Sequence, residues 1–157
     1  MSQTMTAPEK TITRAELINR LNEDLAREYQ AIIAYVVYSQ VLKGAEYMSI
    51  AKELESHASE ELDHAMRISK HIDYIGGMPT VSPQAVKQPD DAVTMLRADL
   101  QNESETIRAY TERVGQCERL CEYAIAEDIR EILRQEQEHL IDLATALGEN
   151  PPNLTKR

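Results

Sequence analysis

The chain has 157 residues, enough for one compact domain with its own core, and its mixture of Ala, Leu, Ile, Glu, Arg and Gln, with five Gly and neither Phe nor Trp, favours helix. A net charge of -10 argues against a nucleic-acid partner, which needs a basic footprint, and against docking on an anionic membrane. Met1 to Thr13 lacks the apolar segment of a signal peptide, and no apolar run approaches the ~20 residues of a membrane span, so a cytoplasmic location is expected.

Residues 1–12 read as a flexible N-terminal tail. Thr13 followed by Glu16 has the form of a capping box, and a helical stripe then runs through Leu17, Leu21, Leu25, Glu28, Ile32, Tyr35 and Leu42, with Gly44 as its first break. A second stripe, Ile50, Leu54, Glu61, His64, Ile68, Ile72 and Ile75, stops at Gly76-Gly77. The segment 77–89 holds three prolines and reads as an extended crossover. Pro89-Asp90-Asp91 places Pro and acids in the first turn of a third helix, whose stripe is Leu96, Leu100, Glu103, Ile107, Tyr110 and Val114. A weakly marked break lies within 115–123, where Gly115 is the only glycine. The fourth stripe is Ile125, Ile129, Ile132, Leu133, Glu136, His139, Leu143 and Leu147, ended by Gly148 and Pro151-Pro152. These elements predict an all-α fold: an antiparallel four-helix bundle over 13–148, one long crossover between the second and third helices, and a C-terminal tail over 149–157.

Six positions on these apolar stripes are not apolar. A lone buried carboxylate is costly, and the spacing supplies a reason for these. Glu61-Leu62-Asp63-His64 and Glu136-Gln137-Glu138-His139 are both E-x-x-H, which projects the two end side chains from one helix face. Glu28 and Glu103 complete the set of a di-metal bundle: one Glu from each of two helices, E-x-x-H from each of the others. The chain also repeats with a period of 75 residues. The shift carries Glu28 to Glu103, Glu61 to Glu136, His64 to His139, Asp24 to Asp99 and Tyr35 to Tyr110, so the site is two copies of one half-site. Both hairpins have the same 33-residue spacing between their Glu ligands, which places the unmarked turn near residues 119–120. Four carboxylates and two neutral imidazoles balance two divalent cations. Oxygen donors with imidazole suit Fe or Mn, and Zn can occupy such sites.

On these residues the chain resembles the ferritin-like superfamily, bacterioferritin most closely, over about 14–147; Met95–Leu100 and Glu131–Arg134 look like that family's third and fourth helices. The resemblance implies that Glu28, Glu61, His64, Glu103, Glu136 and His139 are ferroxidase ligands, that Glu61 and Glu136 bridge, and that Tyr35 is the tyrosine beside the di-iron centre. It implies two Fe per subunit, a homo-oligomeric shell that stores ferric mineral, and a ferredoxin-type electron donor for release. The chain departs from the family in three places. Leu62 stands where the haem-ligand Met would be, which argues against haem there. The ten residues from Gly148 to Arg157 leave no room for the fifth helix of 24-subunit shells, so 12 or 24 subunits stay open. Ser56 stands where the family's inner-surface iron site has a His.

The expected chemistry is oxidation of Fe2+ by O2 or H2O2. Asp24 and Asp99, one turn before a ligand Glu, are candidate acceptors orienting His64 and His139; Tyr110 is a candidate hydrogen-bond partner of the site. His57 and His71 read as surface or stripe-edge residues, and Cys117 and Cys121 as ordinary thiols. The alternatives are a rubrerythrin-like di-iron peroxidase, which the absence of paired C-x-x-C motifs disfavours, a small di-iron oxygenase, and a non-catalytic metal-binding bundle.

Overall fold

Thr13 begins the first helix as the spacing predicts. Its Oγ1 accepts from the Glu16 N–H at 3.1 Å and Glu16 returns the bond to the Thr13 N–H at 2.7 Å, satisfying two donors that a helix start leaves orphaned. The computed structural model describes residues 11–155; the tail expected over 1–12, apart from its last two residues, and the last two residues of the C-terminal tail lie outside it. Four helices follow in order: α1 (Arg14–Val41), α2 (Met48–Tyr74, after a short 3-10 turn at Ala45–Tyr47), α3 (Ala92–Arg119) and α4 (Tyr123–Ala146). No strand occurs among the described residues, and no helix there is long and apolar enough to cross a membrane. A helix of 28 residues, such as α1, spans about 42 Å.

Each neighbouring pair of helices is antiparallel. Across α1 and α3, Tyr35 meets Glu103 and Tyr110 meets Glu28. Across α2 and α4, His64 meets Glu136 and His139 meets Glu61. The crossover runs parallel to α1 and is tied to it along its length. Asn22 donates to the Met78 carbonyl at 3.0 Å, Gln84 N–H donates to the Ala26 carbonyl at 3.0 Å, and Gln30 donates to the Ala85 carbonyl at 2.8 Å. Two side chains and one backbone carbonyl of α1 thus supply partners that an extended segment cannot supply itself. Pro89 and Asp90 stand ahead of α3 rather than in its first turn; Asp91 is the cap, accepting from the Thr94 N–H at 2.9 Å.

The turn hidden in the sequence lies at Leu120–Cys121, one residue from its expected place, and Gly115 is inside α3. The left-handed position is held by Cys121, with φ of +59°, so the usual glycine signal is missing. A non-glycine residue there costs about 1–2 kcal/mol. Replacing Cys121 by Gly is therefore expected to raise stability by roughly 0.5–1 kcal/mol after the added freedom of the unfolded chain is subtracted; a shift of the urea midpoint upward, without change of slope, would show it. Both cysteines are free, with Cys117 buried and its thiol pushed up to about 12 by burial.

Two apolar layers fill the bundle. One contains Leu17, Leu21, Leu25, Ile68, Ile72, Ile125 and Ile129; the other contains Tyr38, Leu42, Ile50, Leu54, Leu96 and Leu143. Between them lies a polar layer, sealed on both sides from water along the bundle axis.

Candidate di-metal centre

The polar layer is made by Glu28 of α1, Glu61 and His64 of α2, Glu103 of α3, and Glu136 and His139 of α4, each 3 % exposed or less. Helix periodicity puts each on the inward face, and the equal spacing from the two turns puts them at one depth. Their donor atoms form two groups. Glu28, Glu61, His64 and Glu136 lie within 4.8 Å of one another, and so do Glu61, Glu103, Glu136 and His139. Glu61 and Glu136 belong to both.

The carboxylates of Glu61 and Glu136 each reach in two directions. His64 Nδ1 is 3.0 Å from Glu61 Oε2 and 3.1 Å from Glu136 Oε1; His139 Nδ1 is 2.9 Å from Glu61 Oε1 and 3.2 Å from Glu136 Oε2. Glu28 and Glu103 each serve one side, 3.6 Å from His64 and His139 respectively. Tyr110 donates its hydroxyl to Glu28, and Tyr35 donates to Glu103. Each tyrosine thus reaches from one hairpin to the carboxylate of the other, a pair related by the 75-residue repeat.

Four carboxylates crowded in a dry layer cannot all ionise unaided. Burial, with the charge of Glu136, pushes the Glu61 carboxyl well above its ordinary range. Burial and Glu136 raise Glu103 to about 7. Burial also opposes ionisation of Glu28 and Glu136, but hydrogen bonds with Glu61 and His64 bring Glu28 below the usual value, and those with His139 and His64 do the same for Glu136. The imidazoles are pushed well up against the effect of burial, because each lies among three carboxylates. The Tyr35 and Tyr110 hydroxyls are raised by burial and keep their protons. Glu28 Oε2 and Glu103 Oε2 are buried with no hydrogen-bond partner, and Glu136 Oε2 has none beyond its approach to His139 at 3.2 Å. Such orphaned oxygens in an apolar bundle ask for a cation.

The outer nitrogens of the histidines have partners other than those expected. His64 Nε2 is 2.5 Å from Gln135 Oε1, and His139 Nε2 is 2.5 Å from Glu60 Oε2. Gln135 and Glu60 are mates under the repeat, each one residue before a shared Glu. Asp24 bonds instead to a buried arginine, Arg113, whose Nε is 2.8 Å from Asp24 Oδ2, and to Arg27. Asp99 has no arginine, since Tyr38 occupies the position equivalent to Arg113; burial pushes its carboxyl well up. His57 is not a surface or stripe-edge residue, as the sequence suggests, but a buried one. It is only 2 % exposed, stacked on His139 with ring centroids 4.0 Å apart. The signal was its place on the stripe, four residues before Glu61 and seven before His64. Ser56 is exposed. His71 is half-buried and 2.6 Å from Asp128.

Four antiparallel helices around paired carboxylate–histidine groups are the arrangement that di-metal carboxylate bundles use. The chain belongs to the ferritin-like family: the ferritin-like domain matches residues 18–150. It is 29 % identical to a bacterioferritin from Brucella melitensis, over 85 % of this chain and 88 % of that protein, and 28 % identical to one from Desulfovibrio desulfuricans, over 81 % and 72 %. Among solved structures it is similar to a ferritin-like, diiron-carboxylate protein from Bacillus anthracis, with 35 % identity, a TM-score of 0.82, and coverage of 85 % and 96 %. It is also similar to a dodecameric thioferritin, the bacterioferritin-related protein of Bacteroides fragilis, with 27 % identity, a TM-score of 0.80 and 88 % of each chain covered.

Proposed function

We propose that this chain is a ferroxidase of an iron-storage and detoxification protein, with Fe2+ as substrate at Glu28, Glu61, His64, Glu103, Glu136 and His139. The observation that carries the reading is the pair of four-residue groups sharing Glu61 and Glu136, with the buried oxygens Glu28 Oε2 and Glu103 Oε2 left without a hydrogen-bond partner. That donor set fits two divalent cations in charge and in chemical type. Two Fe2+ supply two electrons, which with two protons reduce O2 to H2O2, or H2O2 to two waters.

The protein's own groups set the conditions. Glu61 and Glu136 hold the two substrate positions together, so both electrons leave from one place. Tyr110 and Tyr35 fix Glu28 and Glu103 through their hydroxyls, and Gln135 and Glu60 hold His64 and His139 with Nδ1 inward. The apolar layers exclude water and strengthen each charge interaction. Tyr35, with its hydroxyl on Glu103, is also placed to supply an electron. Haem at the usual bacterioferritin position is not part of the proposal, because Leu62 carries no ligand atom. The names of the relatives support iron as the native metal over Mn or Zn, and the dodecameric relative supports a homo-oligomeric shell; a cytoplasmic location and a ferredoxin-type donor are further parts of the proposal.

Fe2+ added aerobically to purified protein is expected to oxidise faster than in buffer and to stay in solution as ferric mineral within an assembly of 12 or 24 chains by solution mass. Oxidation at the buffer rate would remove the ferroxidase reading, and a dimer would remove storage.

A further inference from the structure

A second group of potential ligands lies beside the centre. Glu53, His57 and Asp142 each offer an atom within 4.8 Å of the others. His57 Nε2 is 3.0 Å from Asp142 Oδ2, while Nδ1 of the same buried ring has no partner. Glu53 is exposed and the Asp142 side chain is 41 % exposed, so the group opens to solvent at one side. At its other side the His57 ring stacks on His139.

The internal repeat supplies a comparison within the same molecule. Shifting by 75 residues turns Glu53 into Asp128 and His57 into Ile132, and the mate of Asp142 is Arg67. In that half the arginine lies 2.5 Å from Asp128 and 3.0 Å from Glu131, so a cation of the protein itself fills the gap between α2 and α4. In the His57 half an acid stands where the arginine would be. No Lys or Arg among the described ion pairs reaches Glu53 or Asp142. The neighbouring outer positions extend the contrast, for Glu60 bonds His139 where uncharged Gln135 bonds His64. One mouth of the centre carries the carboxylates of Glu53, Asp142 and Glu60 with no guanidinium among them; at the other, the carboxylates of Asp63, Asp128 and Glu131 are all paired with Arg67, and the amide of Gln135 stands beside His64.

We propose that Glu53, His57 and Asp142 form a third divalent-cation site, and that Fe2+ enters the di-metal centre from it, on the His139 side. Two carboxylates and an imidazole suit Fe2+, with water completing the shell. An acidic mouth also concentrates cations locally. At the His64 mouth the Arg67 guanidinium already occupies the place between the carboxylates that a cation would take. The loading role rests on the ferroxidase reading; the binding site does not.

The test uses the full-length assembly. Crystals soaked with Fe2+ under nitrogen are expected to show three anomalous peaks per chain, two at the centre and a third among Glu53, His57 and Asp142. Two variants copy the opposite half. Asp142→Arg and His57→Ile should each lose the third peak and keep the other two, with initial Fe2+ oxidation at low iron slowed about tenfold and its limit of two per chain unchanged. In Glu61→Gln the third peak should survive loss of the pair, which separates failure of this site from failure of the centre. A wild-type chain with no third peak overturns the site. A third peak with unchanged rates in both variants overturns the loading role.

Discussion

Replacing Glu61 by Gln is expected to abolish paired metal uptake while leaving the chelator-stripped fold as stable as before, within about 1 kcal/mol. The two outcomes have one cause. Burial and the neighbouring Glu136 hold the Glu61 carboxyl well above its usual range, so in the stripped site it carries a proton, and an amide of the same shape replaces a neutral acid. A cation, by contrast, needs the carboxylate. Because Glu61 belongs to both ligand groups, the substitution weakens both positions at once. A ligand at one hundred times its dissociation constant stabilises a fold by about 2.7 kcal/mol, so a filled pair contributes about 5 kcal/mol of metal-dependent stability that the variant lacks. Urea unfolding with and without Co2+ reads both quantities. A stripped variant several kcal/mol weaker than wild type would mean that Glu61 is structural.

The second large effect is a reversal in how stability depends on pH. In the stripped protein Glu103 is raised to about 7 against an ordinary 4.5. Between those values the folded chain keeps a proton that the unfolded chain has released, so stability falls as pH rises. His64 and His139 act in the same direction above their ordinary 6.5, since the folded chain holds them protonated. Glu28 and Glu136, held below 4.5, contribute outside this window, where stability is lost as pH falls further. Filling the site inverts the slope, because bound cations require ionised carboxylates and neutral imidazoles. The unfolded chain then binds more protons, and stability rises with pH toward 6.5. Each proton displaced widens the gap between filled and stripped protein by about 1.4 kcal/mol per pH unit. Urea midpoints at pH 5, 6 and 7, with chelator and with Co2+, should diverge; parallel curves would show that no protons leave on loading.

Much of this was legible in the sequence, and the repeat made it so. The four stripes, the shared depth of the six polar positions and the place of the second turn all follow from spacing, and the structure has the bundle and the long crossover that they predict. Local signals were weaker than the repeat at the second turn, where Cys121 takes the left-handed conformation that glycine usually marks. The partners of the outer histidine nitrogens were not legible. Asp24 was the plausible acceptor by spacing, but a buried arginine three turns further along α3 than Glu103 neutralises it, and a carboxylate committed to Arg113 has no oxygen to spare for His64. His57 was legible by its place on the stripe. Its type misled, since histidine at a stripe position reads as an edge residue until the stacking on His139 is seen. The two halves differ most in their outer positions, where the repeat preserves place and changes chemistry: Glu60 for Gln135, His57 for Ile132, Asp142 for Arg67.

The central claim is that six side chains from four helices act as one two-metal site. Titration with Co2+ under nitrogen, followed by the visible absorption of the bound ion, tests it most directly. Two equivalents per chain are expected to bind tightly in the wild type, with both lost together in Glu61→Gln. Saturation at one equivalent, or a Glu61→Gln variant that still takes up two, would contradict the shared centre.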